Sequence, residues 1–174
     1  MFRNTAKLFT LIAGLTLSGQ ALAQATDAET TTASARLATA IDISEDTALN
    51  FGSIVKGSSN SNTVTINAST GVRSITGTGN ATLITGATPA RATYTVTGET
   101  DATFAIAITD DTINLTGPGS GSLALTLARS ATSGTLTGGT ATFGVGGDLV
   151  IDNTDADDVA GAYSGTFEVT ATYN

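Results

Sequence analysis

The sequence has no cysteine, no histidine and no tryptophan, and only two prolines and one methionine. Without cysteine no disulfide can form, and no thiol is available for a lipid anchor. Without histidine the commonest general base, metal ligand and pH switch are absent together. Aromatic residues make up only 5 %, so an interior must be filled by Val, Ile, Leu, Ala and Thr. Basic residues are scarce as well: 7 Lys and Arg stand against 15 Asp and Glu, for a net charge of −8. A chain this acidic repels nucleic acid and anionic lipid.

What is present points to strands. Thr and Gly are abundant and 40 % of residues are apolar, which favours β-strands and glycine turns over helices. The length of 174 residues suits one domain, able to bury roughly 70 % of its unfolded surface.

The first residues read as a processing signal. Arg3 and Lys7 form a positive start, residues 8–17 a short apolar run, and Ala21-Leu22-Ala23 a small-x-small site. The run is too short to span a bilayer, which needs ~20 residues. The expectation is a secretory signal peptide over residues 1–23, cleaved after Ala23. Cleavage would take two basic residues and no acidic one, moving the net charge from −8 to −10. No later run is long and apolar enough to span a membrane, so insertion is not expected.

Residues 24–34 read as a flexible leader and residues 35–174 as one β domain. Alternation begins at Ala33: Ala35, Leu37, Thr39, Ile41 and Ile43 share one parity, predicting a half-buried first strand over residues 33–43. Ser44-Glu45-Asp46 reads as a polar turn. A short strand broken by Gly52 follows at residues 49–54, and Val64 and Ile66 point inward from the next. Tyr94 and Val96, then Phe104, Ile106 and Ile108, flank a plausible turn at residues 98–101, suggesting one hairpin. Leu123, Leu125 and Leu127 alternate. Phe143 and Val145, then Leu149 and Ile151, sit either side of Gly146-Gly147-Asp148, suggesting a second hairpin.

The last stretch is the most regular. Tyr163, Phe167, Val169, Ala171 and Tyr173 share one parity; Ser164, Thr166, Glu168, Thr170 and Thr172 share the other. This predicts one long strand, with an apolar face on the core and a polar face in water. About eight to ten short strands at fairly regular spacing predict an all-β, two-sheet sandwich.

No reaction is written in the chain. The acidic loop of residues 152–158 has the oxygen-rich composition calcium favours, but its sixth position is Asp157 rather than Gly and its twelfth is Tyr163 rather than Glu. Asp110-Asp111 and Glu99/Asp101 could pair for glycoside cleavage, yet no aromatic-rich sugar cleft accompanies them. Ser53-Ile54-Val55-Lys56 matches Ser-x-x-Lys, but the segment reads as a strand, not the helical turn that chemistry needs. Gly117-x-Gly119-x-Gly121 lacks the strand-to-helix context of a phosphate loop. Asn67, Asn80 and Asn114 begin Asn-x-Ser/Thr triplets that arise by chance in a Thr-rich chain. No catalytic residue, metal ligand or cofactor is expected.

Three segments together carry a resemblance: Leu49-Asn-Phe51-Gly52-Ser-Ile54, Tyr94-Thr-Val96 through Phe104-Ala-Ile106, and Gly161-x-Tyr163-Ser-Gly165-Thr-Phe167-x-Val169 through Tyr173. They resemble the secreted bacterial family known as domain of unknown function 4402, over residues 35–174. The final segment is also similar to the end of chaperone–usher pilin subunits. The resemblance implies an immunoglobulin-like sandwich and export to the periplasm or surface of a Gram-negative bacterium. It further implies assembly into a fimbrial or surface fibre, with further copies of the chain or a periplasmic chaperone as partners. Pilins often carry a disulfide, which this chain cannot form, and large apolar residues in their leader, which residues 24–32 lack. The expected function is a non-enzymatic structural subunit joined by strand addition, with Leu37, Ile41 and Ile43 on the donated strand and Tyr163, Phe167, Val169 and Tyr173 forming the core of the last strand. The alternative is a monomeric secreted sandwich that binds a polysaccharide or a surface partner.

Overall fold

The computed structural model describes residues 26–174 except Ala87; the expected signal peptide lies outside the described residues. Residues 26–36 carry no secondary structure and are exposed. Leu37–Asn174 forms a compact unit of its own. Among the described residues it holds twelve strands and no helix: β1 Asp42–Thr47, β2 Ile54–Val55, β3 Ser61–Ile66, β4 Arg73–Gly77, β5 Thr82–Leu83, β6 Ala92–Thr97, β7 Thr103–Ile108, β8 Thr112–Thr116, β9 Ser122–Arg129, β10 Ser133–Thr135, β11 Thr140–Asp152 and β12 Val169–Tyr173.

All pairings are antiparallel. A seven-stranded sheet runs β1-β6-β11-β3-β4, with β9 on the other edge of β11 and β8 outside β9. A three-stranded sheet runs β10-β7-β12, and β2 pairs with β5. Period-two alternation creates the layers. Ala92, Tyr94 and Val96 of β6, Phe104, Ile106 and Ile108 of β7, and Leu123, Leu125 and Leu127 of β9 are buried, while β7 and β9 expose the residues between theirs and β6 leaves its own half-exposed. The inward faces meet in one core with Val64, Ile66, Phe143, Val145, Leu149 and Ile151. The chain is therefore an all-β sandwich.

Several expectations are corrected. The first strand does not begin at Ala33. Residues 26–41 lie outside every ladder, and β1 starts at Asp42, opposite Thr97. Ser44, Glu45 and Asp46 are not a turn but the middle of β1, which carries a bulge between Glu45 and Thr47. β6 and β7 are not a hairpin: β6 pairs with β1 and β11, β7 with β10 and β12. The connection at residues 98–102 crosses between sheets, so the two apolar faces meet through the core. Alternation shows which face a strand buries, not which neighbour it bonds.

Nor do Gly146 and Gly147 make a turn. β11 runs straight through them for 13 residues, pairing β6 with residues 140–145 and β3 with residues 147–152 on the same edge. A Cβ on Gly146 would lie 2.0 Å from the Ile66 carbonyl oxygen. Glycine is there because the chain leaving β3 passes directly over the strand.

The last strand is shorter than the alternation suggests. Its ladder with β7 covers Val169–Tyr173, while Ser164 makes a lone bridge to Thr116 at the end of β8. Between them the segment hands over from one sheet to the other, with only the Glu168 carbonyl accepting from the Thr109 amide at 3.1 Å.

Candidate functional site

That handover leaves one side of the sandwich open. A groove of about 700 Å³ runs between residues 49–56 on one wall and residues 158–167 on the other. Its floor is the buried core surface of Leu123 and Leu125 from β9 and Leu149 and Ile151 from β11. Phe51 is buried in the first wall, whereas Leu49, Ile54, Ile113, Leu115, Tyr163 and Phe167 are only half-buried. In a closed sandwich such side chains would be covered from both sides. Here they have a floor and no roof, so apolar surface and strand edge face solvent together.

Both walls are held at fixed points. The first is tied by the Asn50–Ala90 bridge and by β2 against β5. The second is held by Ser164 on Thr116 and by Tyr163, whose hydroxyl donates to the Val159 carbonyl at 2.8 Å. Burial, and after it the Asp158 and Asp155 carboxylates, hold the Tyr163 phenol above its usual range.

The end of the groove is closed by Lys56. Its ammonium donates to the Asp155 carbonyl and, at 2.8 Å, to the Asp158 carbonyl. The acidic loop uses two of its carboxylates internally and a third to hold β9. Asp152 accepts from the Thr154 amide and hydroxyl, which lowers its pKa, and Asp155 accepts from the Asp157 amide. Asp158 is buried and accepts from the Ser122 amide at 2.9 Å. These bonds fold the loop around a lysine, and among the described residues no group of three or more Asp or Glu is placed to hold a metal ion.

The other sequence candidates do not converge. Glu99 and Asp101 lie at the start of β7, Asp110 and Asp111 beyond its end, about 20 Å away at ~3.3 Å per residue. Asp111 sits 3.8 Å from the Arg129 guanidinium. Lys56 is engaged with the acidic loop rather than with Ser53.

The sequence-selected strand residues divide into groups. Leu37 lies outside any strand and is 99 % exposed. Ile41 and Ile43 are instead half-buried against the core, with Ile43 inside β1 opposite Val96, so neither is part of an unpartnered segment. Tyr163, Phe167, Val169 and Tyr173 all pack, half-buried, against the core. Tyr163 and Phe167 line the groove, and Val169 and Tyr173 stand opposite Ile108 and Phe104. The Tyr173 hydroxyl donates to the Thr39 carbonyl at 2.9 Å and accepts from the Glu99 amide at 2.6 Å, while the Thr39 amide donates to the Glu99 carboxylate at 2.9 Å. A Cβ at Gly98 would stand 2.1 Å from that hydroxyl, so only glycine admits the clamp.

Sequence reasoning missed the buried amide pair beside the groove's lysine. Asn153 donates to the Asn62 side chain at 2.9 Å and accepts from the Gly57 amide, and Asn62 accepts from the Ala81 amide. Asn62 falls on the parity of Val64 and Ile66, which was the signal available.

An all-β sandwich with one unroofed side is the class that fold and groove define. The family model for DUF4402, a domain of unknown function, matches residues 41–173. The chain belongs to that family. No curated protein and no solved structure matches it.

Proposed function

We propose that this protein is exported and serves as a non-enzymatic structural subunit of a cell-surface assembly, joined to its neighbours by strand addition. The observation that carries this reading is the unroofed groove, with its apolar floor, half-buried walls and a backbone stretch at residues 165–167 outside any ladder. A strand laid there would bond main chain to main chain and place alternate side chains on the apolar floor. Each subunit that both offers and receives a strand makes a heterologous interface, which propagates as a fibre. The scattered and internally bonded carboxylates support a structural rather than a catalytic role. Export rests on Arg3, Lys7, the apolar run and Ala21-Leu22-Ala23.

The test is negative-stain microscopy of expressing cells together with size-exclusion chromatography of the full mature chain. Filaments or a ladder of oligomers are expected. Bare cells and a monomer at every concentration would overturn the reading. Intact mass of the exported product should begin at Gln24; a product retaining residues 1–23 would overturn the export step.

A further inference from the structure

We infer that the outer face of the large sheet carries a second binding site, built around Arg91, whose ligand is a carboxylated sugar of the hexuronic acid class. The site shares no residue with the groove and lies on the surface of the sheet that faces away from the core. It is a pocket of about 370 Å³, lined by Asp46, Ser69, Arg91, Thr93, Ser130 and Thr142 over the backbone of Gly144. Small-molecule sites fall in the range of roughly 300–1,000 Å³.

The pocket is a gap in a face of hydroxyls. Thr93 and Thr95 alternate with buried Tyr94 and Val96 along β6 and so face outward, as does Thr142 on β11. Thr93 stands opposite Gly144, where no side chain fills the row. On the far side of β6, β1 is bulged between Glu45 and Thr47, which places Asp46 beside the gap. On the other edge of β11 the Ser130 amide donates to the Gly144 carbonyl at 2.8 Å. The row from β1 to Ser130 covers three strand spacings, roughly 14 Å, room for one sugar ring and its substituents.

Arg91 is held in place by the protein itself. Its Nη1 donates to the Ala68 carbonyl at 2.7 Å and to the Ser69 carbonyl, both on the chain that leaves β3 and crosses over β11. A Cβ on Gly144 would lie 2.4 Å from the Ala68 oxygen and 3.0 Å from Arg91 Cδ, so the glycine that opens the pocket also seats the arginine. The Nε and Nη2 donors have no acceptor among the described residues, which leaves one edge of the fork unspent. Two parallel N–H groups on a planar guanidinium match the two oxygens of a carboxylate.

The rest of the lining selects a sugar. Asp46 spends its Oδ2 on the Thr95 hydroxyl at 2.7 Å, and its Oδ1 accepts from no described residue. Ser130 Oγ accepts from the Gly144 amide at 2.9 Å and keeps its own hydrogen to donate. Ser69, Thr93 and Thr142 add hydroxyls. Donors and acceptors ringed around one cation match a ligand with several hydroxyls and one carboxylate. A bare carboxylate leaves Asp46 unmet, and a neutral sugar leaves the arginine fork unmet; each unmet polar group weakens binding. With Asp46 in the pocket, a singly charged carboxylate is favoured over a doubly charged phosphate. Apolar side chains of an acidic peptide find no surface here, because Phe143 is turned into the core.

The test titrates full mature protein with glucuronate, glucose and acetate, followed by saturation-transfer NMR. Glucuronate is expected to bind at about 1 mM, with glucose and acetate weaker by about tenfold or more. Arg91→Gln and Asp46→Asn should each lower glucuronate affinity by about tenfold. Arg91→Gln also frees two carbonyls, so Thr142→Val, exposed at the rim, is read beside it. That variant should lose about threefold in affinity with an unchanged melting temperature. Alginate, a polymer of hexuronic acids, separates the two sources of such a sugar. Tighter binding per sugar than glucuronate supports the site and makes its ligand an extended polysaccharide; binding of glucuronate alone supports the site and makes its ligand a free sugar. Acetate binding as well as glucuronate would overturn the sugar, and glucose binding as well would overturn the role of Arg91. Full glucuronate affinity in all three variants, or no binding of glucuronate and alginate by the parent, would overturn the site.

Discussion

The two sides of this sandwich use the same alternation and reach different degrees of burial. On the closed side, Tyr94 of β6 and Phe143 of β11 stand opposite each other with rings stacked at 5.2 Å and both buried. Each strand there has a neighbour on both edges. On the open side, Tyr163 and Phe167 obey the same parity rule, but their segment bonds on one edge and only at intervals, and both remain half-buried. Parity decides which way a side chain points; the number of neighbouring strands decides whether it is covered.

Four tests would break or sharpen that contrast. The largest effect is expected from Phe104→Asp, because Phe104 is 1 % exposed in the middle of the core. An unpaired buried carboxylate costs several kcal/mol against a total of about 5–15, so circular dichroism should show no cooperative melt. A folded Phe104→Asp would mean the core is wrongly placed.

Gly146→Ala comes next. Its Cβ collides with backbone rather than with a flexible side chain, so either β11 or the exit of β3 must shift. A loss of about 1–3 kcal/mol in urea titration is expected; an unchanged midpoint would mean the two segments do not cross closely.

The open side is probed by Phe167→Asp and Thr166→Asp. Phe167 has no strand above it, so its charge reaches water and the variant should fold, at a cost smaller than that of Phe104→Asp. Thr166→Asp, exposed on the opposite face, should stay within about 0.5 kcal/mol of the parent in thermal melts. Equal losses from the two would reverse the inside–outside assignment of this segment.

The smallest effect is alkaline. Burial first, then the Glu45 carboxylate, raises the Tyr94 phenol; burial, then Asp158 and Asp155, raises that of Tyr163. A phenol whose folded pKa exceeds its unfolded value contributes fully below about pH 10 and loses that contribution as pH rises through the folded value. Stability should therefore decline above about pH 10, and Tyr94→Phe should flatten the decline more than Tyr163→Phe. A profile that Tyr94→Phe leaves unchanged would show that another group governs it.

Which elements could be read from the chain follows from the same contrast. β6, β7 and β9 were legible because each buries every second residue, a local property. Sheet membership was not: β6 and β7 look like hairpin partners in one dimension and lie in different sheets. The glycines of β11 looked like a turn because sequence cannot show that Ile66 and Ala68 cross above them. Tyr163 and Phe167 could be selected by parity, whereas the groove they border depends on a missing neighbour, which no residue encodes. Leu37, Ile41 and Ile43 share a parity but are separated by a clamp made of Glu99 and Tyr173, residues 60 and more positions away.

The clamp has a mechanical consequence. Thr39 is fastened to Glu99 at the end of β6 and to Tyr173 on β12, and β1 then lies along β6 through five registered pairs. A pull on Leu37 along the strand axis is delivered first to Thr39 and then to that whole ladder in shear. Hydrogen bonds loaded in shear share the force and must fail together, whereas bonds peeled from one end fail in turn. Tension entering at Leu37 is thus resisted by strands at the start, middle and end of the compact unit at once.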